Sequence, residues 1–233
     1  MGNPASRAVI FRRWDVWKRF ISEWLDDITE GREETLRILD AGCGDGINLR
    51  GVSTVFEQLD RSFRLFGMDY NVTRARKAKG LADGIFVGDM LSPPLKKEKF
   101  DIILCNHVLE HIPDDVKALK ELRNLLSSSG LLVLGVPNEG CVLARLRNHF
   151  VQPSIAKTTD HVHFYTWKTL SKRLQLSGWR IVFREVSGFF MPHTGLHRWV
   201  AGANWGRKLV FILGRIFRSQ CGELMVGCEK LIE

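Results

Sequence analysis

The segment Asp40-Ala-Gly-Cys-Gly-Asp-Gly46 sets three glycines at alternate positions just after the short apolar run Arg37-Ile-Leu-Asp-Ala41. Glycines at the carboxyl end of a strand let backbone N–H groups approach a ligand closely. A dinucleotide fingerprint needs a small residue at its sixth place, but here the third glycine arrives one residue early and Ile47 takes that place. The loop therefore does not read as a nicotinamide site. Asp69 closes the next apolar run, Phe63 to Asp69, 23 positions after Gly46, where an acidic side chain can accept hydrogen bonds from both ribose hydroxyls. Asp89, beside Met90, ends a third run, and a carboxylate next to a flat apolar side chain suits the amino edge and face of adenine. Three acidic strand ends around a glycine loop make an adenosine crevice with little use for phosphate.

A second group of residues could act on an acceptor. His107 and His111 follow the apolar run Phe100 to Cys105, and Asn138 and Glu139 follow Leu131 to Val136. Asp160-His-Val-His163-Phe-Tyr165 precedes a helix starting at Thr166. Histidine is the usual proton-transfer group near neutral pH, so His107, His161 and His163 are the catalytic candidates. No metal is expected, because two histidines without a carboxylate cluster nearby in the sequence make a weak ligand set.

These residues need elements to place them. Between Ala5 and Ile28 the residues Ile10, Trp14, Trp17, Ile21, Trp24 and Ile28 recur at steps of four and three, which predicts an amphipathic helix ending near Gly31. Strands apolar on both faces then alternate with helix-length segments: helices over Val72 to Gly80, Asp114 to Ser127 and Thr166 to Ser177, and strands over Ile85 to Gly88, Phe100 to Cys105, Leu131 to Val136, Trp179 to Val186 and Glu223 to Cys228. That alternation predicts a doubly wound α/β fold, a mostly parallel sheet covered by helices on both faces. Asn138 to Thr159 is weakly patterned and reads as a loop or lid. At 233 residues, 45% hydrophobic and 26% charged, the chain suits one globular domain. Its expected parts are an amino-terminal helix (1–30), a cofactor half (36–136) and a substrate half (137–233) with an insertion at 189–221.

The order and wording of the motifs resemble a class I S-adenosylmethionine-dependent methyltransferase of the small-molecule branch, typified by the ubiquinone-biosynthesis methyltransferases. The matching pieces are Ile38-Leu-Asp-Ala-Gly-Cys-Gly-Asp-Gly46, Gly67-Met-Asp-Tyr70, Val87-Gly-Asp-Met90, Phe100 through Ile112, and Leu126 through Pro137. The resemblance implies a seven-stranded Rossmann-like sheet with an antiparallel last strand. It also implies S-adenosylmethionine bound by Asp40, Gly42, Cys43, Gly44 and Gly46 at the methionine end, Asp69 at the ribose, Tyr70, Asp89 and Met90 around the adenine, and Asn106 and His107 closing the site. The expected reaction is direct displacement of the methyl group onto a small-molecule or lipid-linked acceptor. Two alternatives stand beside it: a noncatalytic adenosylmethionine-binding regulatory protein, and an RNA methyltransferase using the basic second half. Base-amino methylation lacks its Asn/Asp-Pro-Pro-aromatic clamp, since the chain reads Asn106-His-Val, and nucleic acid is not the expected partner.

Residues 1–139 hold 20 Lys and Arg against 21 Asp and Glu, whereas residues 140–233 hold 14 against 5. All the excess positive charge lies in the second half, so an anionic partner is expected there. Within 206–218, Leu209, Val210, Ile212, Leu213, Ile216 and Phe217 fall on one helix face, with Arg207, Lys208, Arg215 and Arg218 on the other and Trp199 and Trp205 upstream. This is the pattern of a helix lying in a membrane surface, or of one covering the sheet or forming a dimer contact. The absence of a signal peptide or spanning segment, together with five cysteines and no C-x-x-C pair, predicts a cytoplasmic protein with peripheral membrane contact through 206–218.

Overall fold

The structure, a computed structural model, describes residues 4–28, 35–154 and 159–231. The expected helix end at Gly31 and part of the weakly patterned segment before Thr159 lie outside these residues. Seven strands form one sheet: β1 (Leu36–Ala41), β2 (Phe63–Asp69), β3 (Gly84–Val87), β4 (Phe100–Asn106), β5 (Leu126–Pro137), β6 (Trp179–Ser187) and β7 (Glu223–Lys230). Their spatial order is β3-β2-β1-β4-β5-β7-β6. Strands β1 to β5 pair in parallel, and β7 runs antiparallel to both neighbours, β5 and β6. The winding reverses between β1 and β4, so a crevice opens where their carboxyl ends diverge.

Helices α1 (Pro4–Ile28), α2 (Ile47–Gln58), α3 (Val72–Ala78), α4 (Asp115–Leu125), α5 (Val142–Leu146), α6 (Trp167–Leu176), α7 (Thr194–Gly202) and α8 (Asn204–Ile216) are joined by loops and short turns. The tryptophan stripe of α1 does what its spacing implies. Trp17 and Trp24 are buried, the Trp24 indole donates to Ser129 O at 3.2 Å, and Phe20 stacks on Phe183 at 5.2 Å. Trp14 lies over Gly51 of α2, where a Cβ would collide with its indole ring. On the opposite face, α4 and α6 bury Leu119, Leu122, Leu170 and Leu174 against β4 and β5. Thr166 caps α6 through a reciprocal capping box with Thr169.

Three expectations change. Strand β5 begins at Leu126 rather than Leu131, because buried Leu126 pairs with Phe100 before a bulge restores the register at Ile102 and Leu131. The weakly patterned segment after Asn138 contains α5 and a π-helical turn, Arg147–Val151. The apolar arc of α8 is divided: Gly206, Val210 and Gly214 pack inward, whereas Leu209, Ile212 and Ile216 are exposed. The two glycines allow this close approach, since a Cβ at Gly206 or Gly214 would strike the Val200 or Gly188 carbonyl. No described helix is long and apolar enough to cross a membrane. All five cysteines are free and buried.

Candidate active site

The loop after β1 is held by its neighbours. Gly42 and Cys43 donate their N–H groups to Met68 O at 2.7 and 3.0 Å, which fixes the loop against β2. Gly42 has φ +85, and a Cβ there would meet the Val108 side chain. Asp69 Oδ2 accepts the Gly44 N–H at 2.8 Å, and Oδ1 accepts the Asn71 N–H at the same distance. Asn71, not Asp69, caps α3, so each Asp69 oxygen keeps a lone pair for a ligand.

A cavity of ≈ 860 Å³ opens at the β1/β4 divergence. Of the expected cofactor residues, Gly42, Cys43, Gly44, Asp69, Tyr70, Asp89, Met90, Asn106 and His107 line it. Asp40 and Gly46 stand behind that wall. Gly46, at φ +87, packs against Leu81 and Ala78. Asp40 is fully buried, and neither of its oxygens accepts a well-directed hydrogen bond, although the Asn48 side chain lies against it. Burial, with Asp69 beside it, pushes the Asp40 carboxyl up to about 7. An orphaned carboxylic acid behind a glycine loop fits a ligand that brings positive charge, as the sulfonium and ammonium of S-adenosylmethionine do.

His107 sits at φ +54, a strained left-handed conformation for a side chain of its size. Its Nδ1 is 3.3 Å from Glu110 Oε1, and its Nε2 lies 3.0 Å from Glu223 Oε1 and 2.9 Å from Arg13 Nη2. Burial pulls its pKa down, but Glu110 and Glu223 outweigh burial and Arg13 together and raise it to about 9. Arg13 Nε donates to Glu223 Oε1 at 3.0 Å, so α1 reaches the cavity wall.

His161 and His163 do not line this cavity. His163 Nε2 meets Pro113 O at 3.1 Å, which makes it a support for the turn before α4. His161 stands behind His111, the rings edge to face at 4.8 Å, with its Nδ1 2.6 Å from Glu139 Oε2. Beyond Glu139 a second cavity of ≈ 730 Å³ is walled by Val142, Leu146, Phe150 and Phe164. Among the lining residues that sequence reasoning did not assign to the cofactor are Arg13, Asn48, Arg74, His111 and Asp160. Arg13 gave no signal, because it lies on the polar side of an amphipathic pattern. Asn48 and Arg74 are ordinary helix residues until the sheet orders them around the crevice.

Comparison with known proteins decides the family, since the methyltransferase domain matches residues 11–183. The chain belongs to this methyltransferase family. An uncharacterised protein of Methanocaldococcus jannaschii is 29% identical over 156 residues, 66% of this chain and 59% of that protein. A ubiquinone biosynthesis O-methyltransferase of Glaesserella parasuis is 30% identical over 107 residues, 44% of this chain and 45% of that enzyme. The match thus spans only about half the length of these curated relatives. The crystal structure of a putative sarcosine dimethylglycine methyltransferase from Galdieria sulphuraria superposes with a TM-score of 0.62 at 16% identity, covering 93% of this chain and 84% of the other, and shows the shared fold. S-adenosylmethionine is the methyl donor of this methyltransferase family, and the glycine loop, the strand-end acids and the orphaned Asp40 fit it.

Proposed function

We propose that the protein transfers the methyl group of S-adenosylmethionine to a small acceptor with an apolar part. The observation that carries this reading is the single cavity joining Gly44, Asp69 and Asp89 to Asn106, His107 and His111 across the β1/β4 switch point. The first three suit the adenosine and methionine ends of the donor, and the last three face the open end, where an acceptor would align with the sulfonium methyl. Positioning accounts for most of the rate in such a displacement. Replacing Asp69 with alanine removes acceptors for the ribose hydroxyls and frees the Gly44 N–H. Affinity for S-adenosylhomocysteine should fall by roughly 1–3 kcal/mol in calorimetry, with Asp69→Asn in between. Unchanged affinity would remove Asp69 from the site, and with it this placement of the donor.

The apolar part of the acceptor rests on two features. One is the second cavity beyond Glu139; the other is the exposed row Trp205, Leu209, Ile212 and Ile216 along α8, with Leu196 and Trp199 on α7 beside it. The exposed Lys208 and Arg215 flank that row. An apolar stripe edged by basic residues suits the surface of an anionic bilayer, and some curated relatives are named for ubiquinone and tocopherol methylation. Sedimentation with anionic vesicles at low salt should carry the protein down, neutral vesicles should not, and Lys208→Glu/Arg215→Glu should abolish the effect. Arg207 is unsuitable for this purpose, because its guanidinium ties α8 to the Ala201 and Gly202 carbonyls. Failure to bind either kind of vesicle would make the stripe an ordinary protein contact.

A further inference from the structure

Two histidines line the main cavity, His107 and His111, and their surroundings give them opposite chemistry. Both ring nitrogens of His107 face carboxylates, with Nδ1 3.3 Å from Glu110 and Nε2 3.0 Å from Glu223. At a pKa of about 9 it already carries its proton at neutral pH, so it cannot take another. His111 makes one such contact, Nδ1 at 3.2 Å from Asp160 Oδ1. Among the described residues, no hydrogen bond or ion pair engages its Nε2. The other acids on this wall are occupied. Asp69 accepts two backbone N–H groups, Asp89 accepts that of Leu91, and Asp45 pairs with Arg74 and Lys77. A carboxylate is in any case an ordinarily far weaker base than an imidazole.

The His111 ring is held from several sides. Its backbone N–H closes the Leu109–His111 turn by donating to Val108 O at 3.0 Å. His161 packs edge to face on the ring at 4.8 Å and is itself fixed by Glu139 Oε2, 2.6 Å from its Nδ1. Val162 and His163 both donate their N–H groups to Glu110 O, at 2.8 and 3.2 Å, which fastens the loop bearing Asp160 and His161 to the same turn. A carboxylate at Nδ1 holds a neutral imidazole as the Nδ1–H tautomer and leaves the Nε2 lone pair as the basic site. Asp160 is 85% exposed, so it directs the ring more than it strengthens the base. Glu110, the other carboxylate close to His111, is the ion-pair partner of His107.

We propose that His111 is the general base of the methyl transfer, taking the proton of an acceptor hydroxyl through Nε2, with Asp160 as its positioning residue. The proposal rests on the methyl-transfer reading and adds to it the kind of atom that is methylated. An amine attacks the sulfonium carbon with its own lone pair, whereas a hydroxyl is a weak nucleophile until a base removes its proton. A free imidazole nitrogen at the acceptor end therefore points to oxygen. The oxygen lone pair forms the O–CH3 bond, and the S–CH3 pair passes to sulfur to give S-adenosylhomocysteine. The hydroxyl proton goes to Nε2 and, once the product has left, to water.

Two measurements test this. Nitrogen NMR of protein with isotopically labelled histidine reads the tautomer and needs neither donor nor acceptor. Neutral His111 should be the Nδ1–H form, and Asp160→Ala should shift it towards the Nε2–H form that an unconstrained histidine prefers. The second measurement follows label from S-adenosylmethionine into para-butylphenol and tert-butylcatechol. His111→Gln should lower kcat by about 10²–10⁴-fold, leave S-adenosylhomocysteine affinity unchanged and remove the acidic limb of the kcat/KM profile. Added imidazole should restore part of the rate of His111→Ala. Asp160→Ala should cost less and move the acidic limb to lower pH, because the carboxylate that favours the protonated ring is gone. An Nε2–H tautomer in the unaltered protein would overturn the proposal. So would an acidic limb that survives in His111→Gln, or no transfer to either hydroxyl probe by protein that binds S-adenosylhomocysteine. Failure to take up S-adenosylhomocysteine would instead overturn the methyl-transfer reading.

Discussion

Glu223→Ala is expected to destabilise the protein by about 3–5 kcal/mol, the cost of breaking a buried ion pair by removing one member. Arg13 and Glu223 are 11% and 7% exposed at their side chains, so water solvates neither well. Burial raises the Glu223 pKa, but Arg13 and His107 more than reverse this and hold the carboxyl below its usual range. Without that carboxylate, the Arg13 guanidinium and the His107 ring are left facing each other at 2.9 Å. Urea unfolding should show the midpoint falling, and hydrogen exchange should show the amide protons of α1 losing protection first. The double variant Arg13→Ala/Glu223→Ala should recover part of the loss, because the stranded charge is then gone. A change below about 1 kcal/mol in the single variant would mean that the pair is solvated and that α1 is held by its tryptophans alone.

Asp40→Asn should stabilise the ligand-free protein, and only at neutral to alkaline pH. The Asp40 carboxyl titrates at about 7 in the native state against 3.8 for the ordinary group. Between those values the native state holds a proton that the unfolded chain has released, so stability falls as pH rises through this window and stays low above it. A shift of this size corresponds to an upper bound of about 4 kcal/mol. The groups bearing on Asp40 are Asp69 from β2, Cys43 and Asn48 from the loop and α2, and Cys105 from β4. Asparagine cannot ionise, so the variant and the parent should have matching unfolding midpoints near pH 4 and diverge towards pH 8. Parallel midpoints across that range would show that Asp40 is solvated. S-adenosylmethionine brings positive charge, so its affinity for the parent protein should rise through pH 7, and that slope should vanish in the variant.

The fold was legible because its signals are short-range. Apolar runs such as Phe100 to Cys105 are strand cores whatever surrounds them, and Gly42, Gly44 and Asp69 lie at strand ends that a parallel sheet must bring to one edge. Arg13 was illegible for the opposite reason, since its partners Glu223 and His107 lie 210 and 94 residues away. Glu110 stands between Leu109 and His111 with nothing in the sequence to mark it as buried; its full burial comes with the turn after β4, onto which the Val162 and His163 N–H groups fasten the following loop. His161 and His163 look equivalent in sequence, and in a regular extended segment residues two apart would share one side; this segment is irregular, and it brings His161 to Glu139 and His163 to the Pro113 carbonyl. The α8 helix shows a further limit, because periodicity finds an apolar arc but not which part of it glycines allow to pack inward.

The position of β7 between β5 and β6 has a consequence for how the chain reaches its native state. Strands β1 to β5 can assemble as they emerge from the ribosome, since each pairs with neighbours already made or soon to follow. β6 cannot join them, because its place in the sheet is separated from β5 by a strand that begins only at Glu223. Until then the β5 edge, with Leu132, Leu134 and Val136, is open and apolar, an adhesive surface of the kind chaperones attend. The same late strand delivers Glu223 to Arg13, and contacts of such sequence separation form slowly. The donor half of the pocket can thus take shape during synthesis, whereas the wall that unites α1 with His107 is completed only after β7 has been inserted.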